Sequence, residues 1–205
     1  MAIAINGSSN TITGLAVGGL PDGIVDADML AANAVTAGKL ASGAGGKLLQ
    51  IVHVTKTDTA SIASTSYSDI TGMAASITPA NASNKIIACF SLSVGGVNNV
   101  YGSVKCQRLI AGGSYADLQV ADQVGSHHDR ANTFIDTEVS YGQYKGYSYS
   151  FSLQDTSHNT TSQITYKLVW KAGNGTGYIN RKHIDQASYS SAGTSSVMLM
   201  EVAAV

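Results

Sequence analysis

From Leu48 onward the chain is written largely in a two-residue period. Leu49-Gln50-Ile51-Val52-His53-Val54-Thr55-Lys56-Thr57 alternates over most of its length, and so does Val100 to Leu109. Tyr147-Ser148-Tyr149-Ser150-Phe151-Ser152-Leu153 sets an apolar side chain against a serine at every second position. Ile164 to Trp170 and Val197 to Val202 complete the set, while Lys85 to Val94 is half continuous apolar run and half alternation. Period-2 segments of this kind predict β-strands. Turn clusters separate them at Pro79 to Asn84, Gly95-Gly96, Ala111 to Ser114 and Lys171 to Gly175. No convincing helix emerges. The expected fold is therefore mainly β: an antiparallel β-sandwich or jelly-roll-like knob.

Residues 1–46 break the pattern. They contain no aromatic residue, and glycine recurs at Gly7, Gly14, Gly18, Gly19, Gly23, Gly38, Gly43, Gly45 and Gly46. Such a segment has few large side chains whose burial could offset its ordering entropy. It must stay flexible or be ordered by other chains. Within it, the decad Gly23 to Ala32 aligns with Asn33 to Ser42, sharing Val25/Val35, Ala27/Ala37, Leu30/Leu40 and Ala31/Ala41. Ten residues is not the heptad of a long coiled coil. Repeats of this kind bury their apolar positions on neighbours or on copies of themselves, which makes Val25, Leu30, Val35 and Leu40 the expected anchoring and subunit-packing residues. A flexible linker with chance similarity is the alternative. Ser42 to Lys47 reads as a hinge. The expected organisation is an extended repeat arm, 1–46, followed by a β knob, 47–205.

Composition narrows the function. Charged residues are 12% of the 205-residue chain, half the usual share, with 12 Lys+Arg against 13 Asp+Glu. That balance offers no electrostatic footprint for nucleic acid. Apolar residues reach 44%, enough for a core and unlike a disordered tail. The longest apolar stretches, such as Ile86 to Val94, fall well short of the roughly 20 residues of a spanning helix, so no membrane insertion is expected. No secretory signal is apparent, because Met1 to Ile5 lacks a basic start. Two cysteines without a CxxC, Cys89 and Cys106, read as buried free thiols in strands.

The sequence resembles the short fibre-type virion proteins of tailed bacteriophages, especially those infecting cyanobacteria. The decad repeat with its Pro21-Asp22-Gly23 lead-in is one carrier of the resemblance. The most specific is the block from Gly46-Lys47-Leu48-Leu49-Gln50-Ile51-Val52 through Thr65 to Gly72 and on to Ser76 to Ile86. The ending, Ser196 to Val202, is the third. The resemblance covers most of residues 20–110 and the C-terminus; 111–195 match only in texture. It implies an intertwined homotrimer, a β knob and no catalysis. Its motifs are scaffold motifs and carry no ligand residue.

Candidate chemistry is sparse. No nucleophile elbow, P-loop or dinucleotide fingerprint is present. Gly173 to Gly177 is glycine-rich but follows a strand pattern, so it reads as a hairpin turn. His127, His128 and Asp129 are weak metal candidates, needing further ligands from symmetry copies; the plainer reading is an exposed polar loop. The scattered Asp117, Asp122, Asp136 and Glu138 do not form the carboxylate pair of a glycosidase. Tyr141, Tyr144, Tyr147 and Tyr149 fall within nine residues. They suit subunit packing or ordinary strand facing first, and a glycan or protein contact surface second.

The expectation is a non-enzymatic virion protein without cofactors, on the particle exterior and assembled in the host cytoplasm. Its partners would be copies of itself and other virion proteins, tail or baseplate components or the major capsid protein, with a host-surface glycan as a further candidate. A short tail fibre is the leading reading and a capsid decoration or cement (head-fibre) protein the alternative.

Overall fold

The computed structural model describes residues 4–6, 11–13, 30, 34–35, 47–123, 125, 130–137, 142–184 and 191–204. The chain divides into two compact units, Met1–Gly45 and Gly46–Val205. In the first, β1 (Ala4–Asn6) pairs antiparallel with β2 (Thr11–Thr13). This short hairpin was not foreseen in the sequence. Most of the decad repeat, Val25 and Leu40 included, lies outside the described residues. Leu30 and Val35 are described and are exposed.

The second unit contains β3 (Leu48–Lys56), β4 (Ala60–Ile62), β5 (Ser68–Ile77), β6 (Lys85–Gly96), β7 (Tyr101–Ile110), β8 (Ala116–Asp117), β9 (Thr133–Asp136), β10 (Tyr147–Asp155), β11 (Ile164–Asn174), β12 (Gly177–Ile179) and β13 (Ser195–Val202). A 3-10 turn, Gly142–Tyr144, precedes β10. All pairings are antiparallel and form two sheets. The first sheet runs β3-β13-β6, with β10 on the other edge of β6 and the short β4-β12 pair continuing the β3-β13 pair. The second runs β5-β11-β7, with β8 and β9 sharing the far edge of β7.

The pairings nest. The first strand (β3/β4) pairs with the last (β13/β12), β5 with β11, β6 with β10, and β7 with β8 and β9. One long hairpin rolled on itself gives this order in two facing sheets, which is a jelly roll.

The alternation explains why the sheets face one another. Ile86, Ala88, Phe90, Leu92 and Val94 of β6 are buried, with Val197 and Leu199 of β13 beside them. Across the core lie Ile70, Met73, Ala75 and Ile77 of β5, Val104 and Cys106 of β7, and Ile164, Tyr166, Leu168 and Trp170 of β11. Each large apolar side chain so buried contributes about 1.5–3 kcal/mol. Phe90 and Phe151 stack with ring centroids 5.1 Å apart.

Four sequence readings change. Gly95-Gly96 is not a turn but the buried end of β6; a Cβ at Gly95 would lie 2.3 Å from the Arg181 carbonyl oxygen, so glycine serves a close backbone approach there. The turn expected over Lys171 to Gly175 is narrower, because β11 runs on to Asn174 and the chain reverses at Gly175, whose φ is +68°. Strand β5 was not recognised as a strand. Its buried Ile70 and Met73 are three residues apart, because a bulge opposite Lys167/Val169 and the left-handed Gly72 (φ +84°) interrupt the two-residue period. Of the two free thiols, Cys106 is buried as expected, whereas Cys89 is half-buried on the opposite face of its sheet.

Candidate functional site

His127, His128, Asp129 and Tyr141 lie outside the described residues. Tyr144 is exposed on the 3-10 turn. Tyr147 and Tyr149 pair with Val94 and Leu92, on the core-facing row of β10. Tyr149 packs against the core, donates its hydroxyl to the Asp136 carbonyl at 2.7 Å and accepts from the Asp136 amide at 3.2 Å, joining the edge strands of the two sheets. Its partial burial pushes the phenol above its ordinary value. Among the described residues, no three His, Cys, Asp or Glu side chains gather as a metal would need.

What the structure does bring together is the outer face of the β3-β13-β6-β10 sheet. The register lays its side chains in rows: Ile51-Met200-Ile87-Gln154, then His53-Met198-Cys89-Ser152, then Thr55-Ser196-Ser91-Ser150. Within these four strands Lys85, at one end, is the outward-facing charge. Ile51 is 54% exposed and Leu49 48% exposed in the single chain. Beside them a groove of about 440 Å³ is lined by His53, Cys89, Ser91, Ser150, Ser152 and Met198, among others. An antiparallel sheet with one face in water normally alternates apolar-in with polar-out; apolar residues on both faces mark a sheet covered twice. The signal was visible in the continuous runs of β6 and β13, but it was read only as a strand signal.

The outer face of the other sheet is different. Lys105 bonds Asp117 at 2.9 Å, and Lys167 bonds Asp69 at 2.6 Å. The Lys105 ammonium also lies 4.3 Å from the Tyr67 ring centroid, and that of Lys167 3.8 Å from Tyr115. These are water-tolerant contacts of long side chains.

Buried polar groups tie the strands together, and of these Asp155, Arg108, Glu201 and Asn180 were not singled out in the sequence. Asp155 of β10 is 1% exposed; both its oxygens accept from Arg108 Nη1 of β7 at 2.8 Å, and one accepts from the Tyr166 hydroxyl of β11 at 2.8 Å. Desolvation pushes the Asp155 carboxyl up, but the Arg108, Ser157 and Tyr166 hydrogen bonds outweigh it and hold it below its ordinary value. The same surroundings, burial first and the Asp155 acceptor second, push the Tyr166 phenol well above its own. Burial takes the Cys106 thiol up to about 12, so it is an inert core residue. Glu201 accepts from Asn84 and Gln50 side chains at 2.5 Å each and from the Ala80 amide at 2.8 Å, clamping the 78–84 turn to β13. Burial raises its carboxyl as well, and again the hydrogen bonds prevail and lower it. Asn180, at φ +61°, ties the end of β3 to β6 and β13 through the Lys56 and Asp58 carbonyls, the Ser93 carbonyl and the Ser195 hydroxyl.

Comparison with known proteins adds little. No protein-family model matches the chain, and no curated protein matches it. Among solved structures it is similar to a chain of infectious bursal disease virus Gx strain, with 13% identity and a TM-score of 0.36 over 75% of this chain and 36% of that one. A chain of the Gt strain gives 13% identity and a TM-score of 0.35 over 75% and 42%. The protein spans less than half the length of either. Likeness at this level carries no functional inference.

Proposed function

We propose that the protein is a non-enzymatic structural component of a tailed-phage virion. In this reading, residues 1–46 attach it to the particle and 47–205 form a projecting jelly-roll knob. Three knobs associate through the outer face of the β3-β13-β6-β10 sheet. That face carries the proposal: Ile51, Ile87, Met198 and Met200 form an apolar surface with one charge at its margin. Such a surface has no like charges to repel a copy of itself. On a monomer the same face would be an apolar surface left in water, the kind that marks an interaction site. Closed cyclic assembly of identical chains is the common way to cover one. The aromatic-free arm, unable to build its own core, supports anchoring by other chains.

A short tail fibre touching the host surface is the leading placement. A capsid decoration or cement protein is the alternative. The test is the chain's position in an electron-microscopy map of the particle, with wild type compared with a Leu30→Asp/Leu40→Asp double variant. Density on the tail tip or baseplate supports the fibre, and density on capsid facets the decoration protein. The double variant should fail to incorporate while keeping the knob's thermal transition; normal incorporation would rule out anchoring through the repeat.

A further inference from the structure

A second hollow lies on the outer face of the β5-β11-β7 sheet. It is a groove of about 350 Å³ whose lining includes Tyr101, Ser103, Phe134, Asp136, Lys171 and Gly173. The register explains the grouping. Ser103 of β7 sits between Phe134 of β9 and Lys171 of β11, while Tyr101 sits between Asp136 and Asn174. Strand β7 is thus the floor and the two aromatic side chains are the walls.

Folding does not account for those walls. Phe134 is 74% exposed, the most exposed of the large apolar side chains described, and Tyr101 is 52% exposed. Phe134 also borders a second hollow of about 280 Å³, with Asn132 and Thr133, so it stands as a ridge between two depressions. Gly173 shapes the other wall. A Cβ there would fall 2.4 Å from Cε2 of Tyr101, so the absence of a side chain lets the ring lie close over β11.

We infer that this groove binds a neutral pyranose unit of a carbohydrate. The negative face of an aromatic ring attracts the C–H hydrogens on the apolar side of a sugar ring. The polar edge of the sugar then meets groups of both kinds: the Asp136 carboxylate accepts from hydroxyls, the Lys171 ammonium donates, and the Ser103 hydroxyl does either. Other occupants fit worse. A fatty chain would desolvate the Asp136 carboxylate and offer no hydrogen bond to it. An anionic group drawn to Lys171 meets Asp136, and a cationic group meets the reverse. A neutral polyol covers the rings and satisfies both signs. The volume sits near the lower end of the about 300–1,000 Å³ of ligand pockets, which suits one sugar ring rather than a long chain. Such a site is weak singly and gains by multivalent display. It lies within one chain, so its occupancy does not depend on the trimer proposed above.

The test is saturation-transfer NMR on the full-length chain. The probes are the methyl pyranosides of glucose, galactose, mannose, rhamnose and N-acetylglucosamine, each at millimolar concentration. At least one should receive saturation concentrated on the C–H hydrogens of one ring face. Phe134→Ala should cut that signal about fivefold or more, the scale of a lost aromatic contact, with an unchanged thermal transition. Gly173→Ala, which displaces the Tyr101 ring, should cut it too. Tyr115→Ala, an exposed tyrosine outside the groove, should leave it intact. Silence from every pyranoside, or equal signals from Phe134→Ala and Tyr115→Ala, would overturn the inference. So would a change in sedimentation on Phe134→Ala, which would make Phe134 a contact between copies.

Discussion

The two sheets of the knob turn equivalent rows of aliphatic and aromatic side chains toward each other, yet their outer faces have little in common. On the β3-β13-β6-β10 side the outward rows hold Ile51, Met200, Ile87, Met198 and Cys89, then serines. On the β5-β11-β7 side they hold Lys105, Lys167 and Lys171, set against Asp69, Asp117, Tyr67 and Tyr115. Inner rows are constrained by the fold itself, because either sheet must bury them. Outer rows are free to follow what each face meets. Apart from Phe134 and Tyr101 at its β7-β9 edge, the charged face has the chemistry of a surface in water; the other, with Lys85 alone at its margin, has the chemistry of a surface that another protein would cover. A jelly roll needs only one covered face per sheet, so the second apolar face is a clue to assembly rather than to stability of the single chain.

The largest effect expected from breaking this contrast is at the centre of the apolar face. Met200→Glu should place an uncompensated carboxylate in the proposed interface, at a cost on the order of 3–5 kcal/mol per chain. Sedimentation velocity should then show folded monomers. Ala74→Glu, the same chemical change on the outer face of β5, should leave assembly as it was.

The next effect lies between the sheets. Asp155→Asn leaves Arg108 facing a neutral amide and weakens the acceptor of the Tyr166 hydroxyl. A loss of about 3 kcal/mol, or roughly 6–12 °C in Tm, is expected in calorimetry. Assembly at low temperature should persist, which separates the seam inside the knob from the face outside it.

Acid gives a graded version of the same result. The carboxyls of Asp155 and Glu201 are held below their ordinary values of 3.8 and 4.5 in the folded chain. A depressed carboxyl stabilises fully above its unfolded value, and that contribution is lost as pH falls through the folded one. Tm should therefore be flat above about pH 5 and fall steadily below about pH 4. Asp155→Asn should shallow that fall; an unchanged slope would mean that Asp155 is not held below its ordinary value.

The smallest effect belongs to the charged face. Lys167→Ala removes an ion pair to an Asp69 that is 60% exposed. Such pairs contribute about 0.2–1 kcal/mol, so Tm should move by no more than roughly 4 °C and sedimentation not at all.

How much of this was legible in the sequence follows the same division. Strands with clean alternation, such as Tyr147 to Leu153, could be read directly, because a sheet edge with one wet face repeats every two residues. Strand β5 could not, because the bulge at Gly72 shifts its buried residues out of step. The short β8, β9 and β12 are set by the long strand each lies against, which no local window contains. The polar seam was hidden for a different reason. Arg108 and Tyr166 lie 47 and 11 residues from Asp155 in sequence and meet it only after the hairpin rolls up. The tyrosine cluster was visible as a cluster, but its facing depended on register: pairing with Leu92 and Val94 puts Tyr149 and Tyr147 on the core-facing row. The apolar outer face was written in the Val197-Met198-Leu199-Met200 run, which needed the strand order to show that both sides were occupied.

The most direct test of the central claim is the mass of the full-length chain in solution, by sedimentation equilibrium across the micromolar range, with Met200→Glu run beside it. The predicted result is a wild-type species of three times 21.1 kDa and a variant of 21.1 kDa that keeps its β-sheet circular dichroism. A wild type that stays at 21.1 kDa throughout, or a Met200→Glu chain that sediments as the wild type does, would contradict the assignment of this face to assembly.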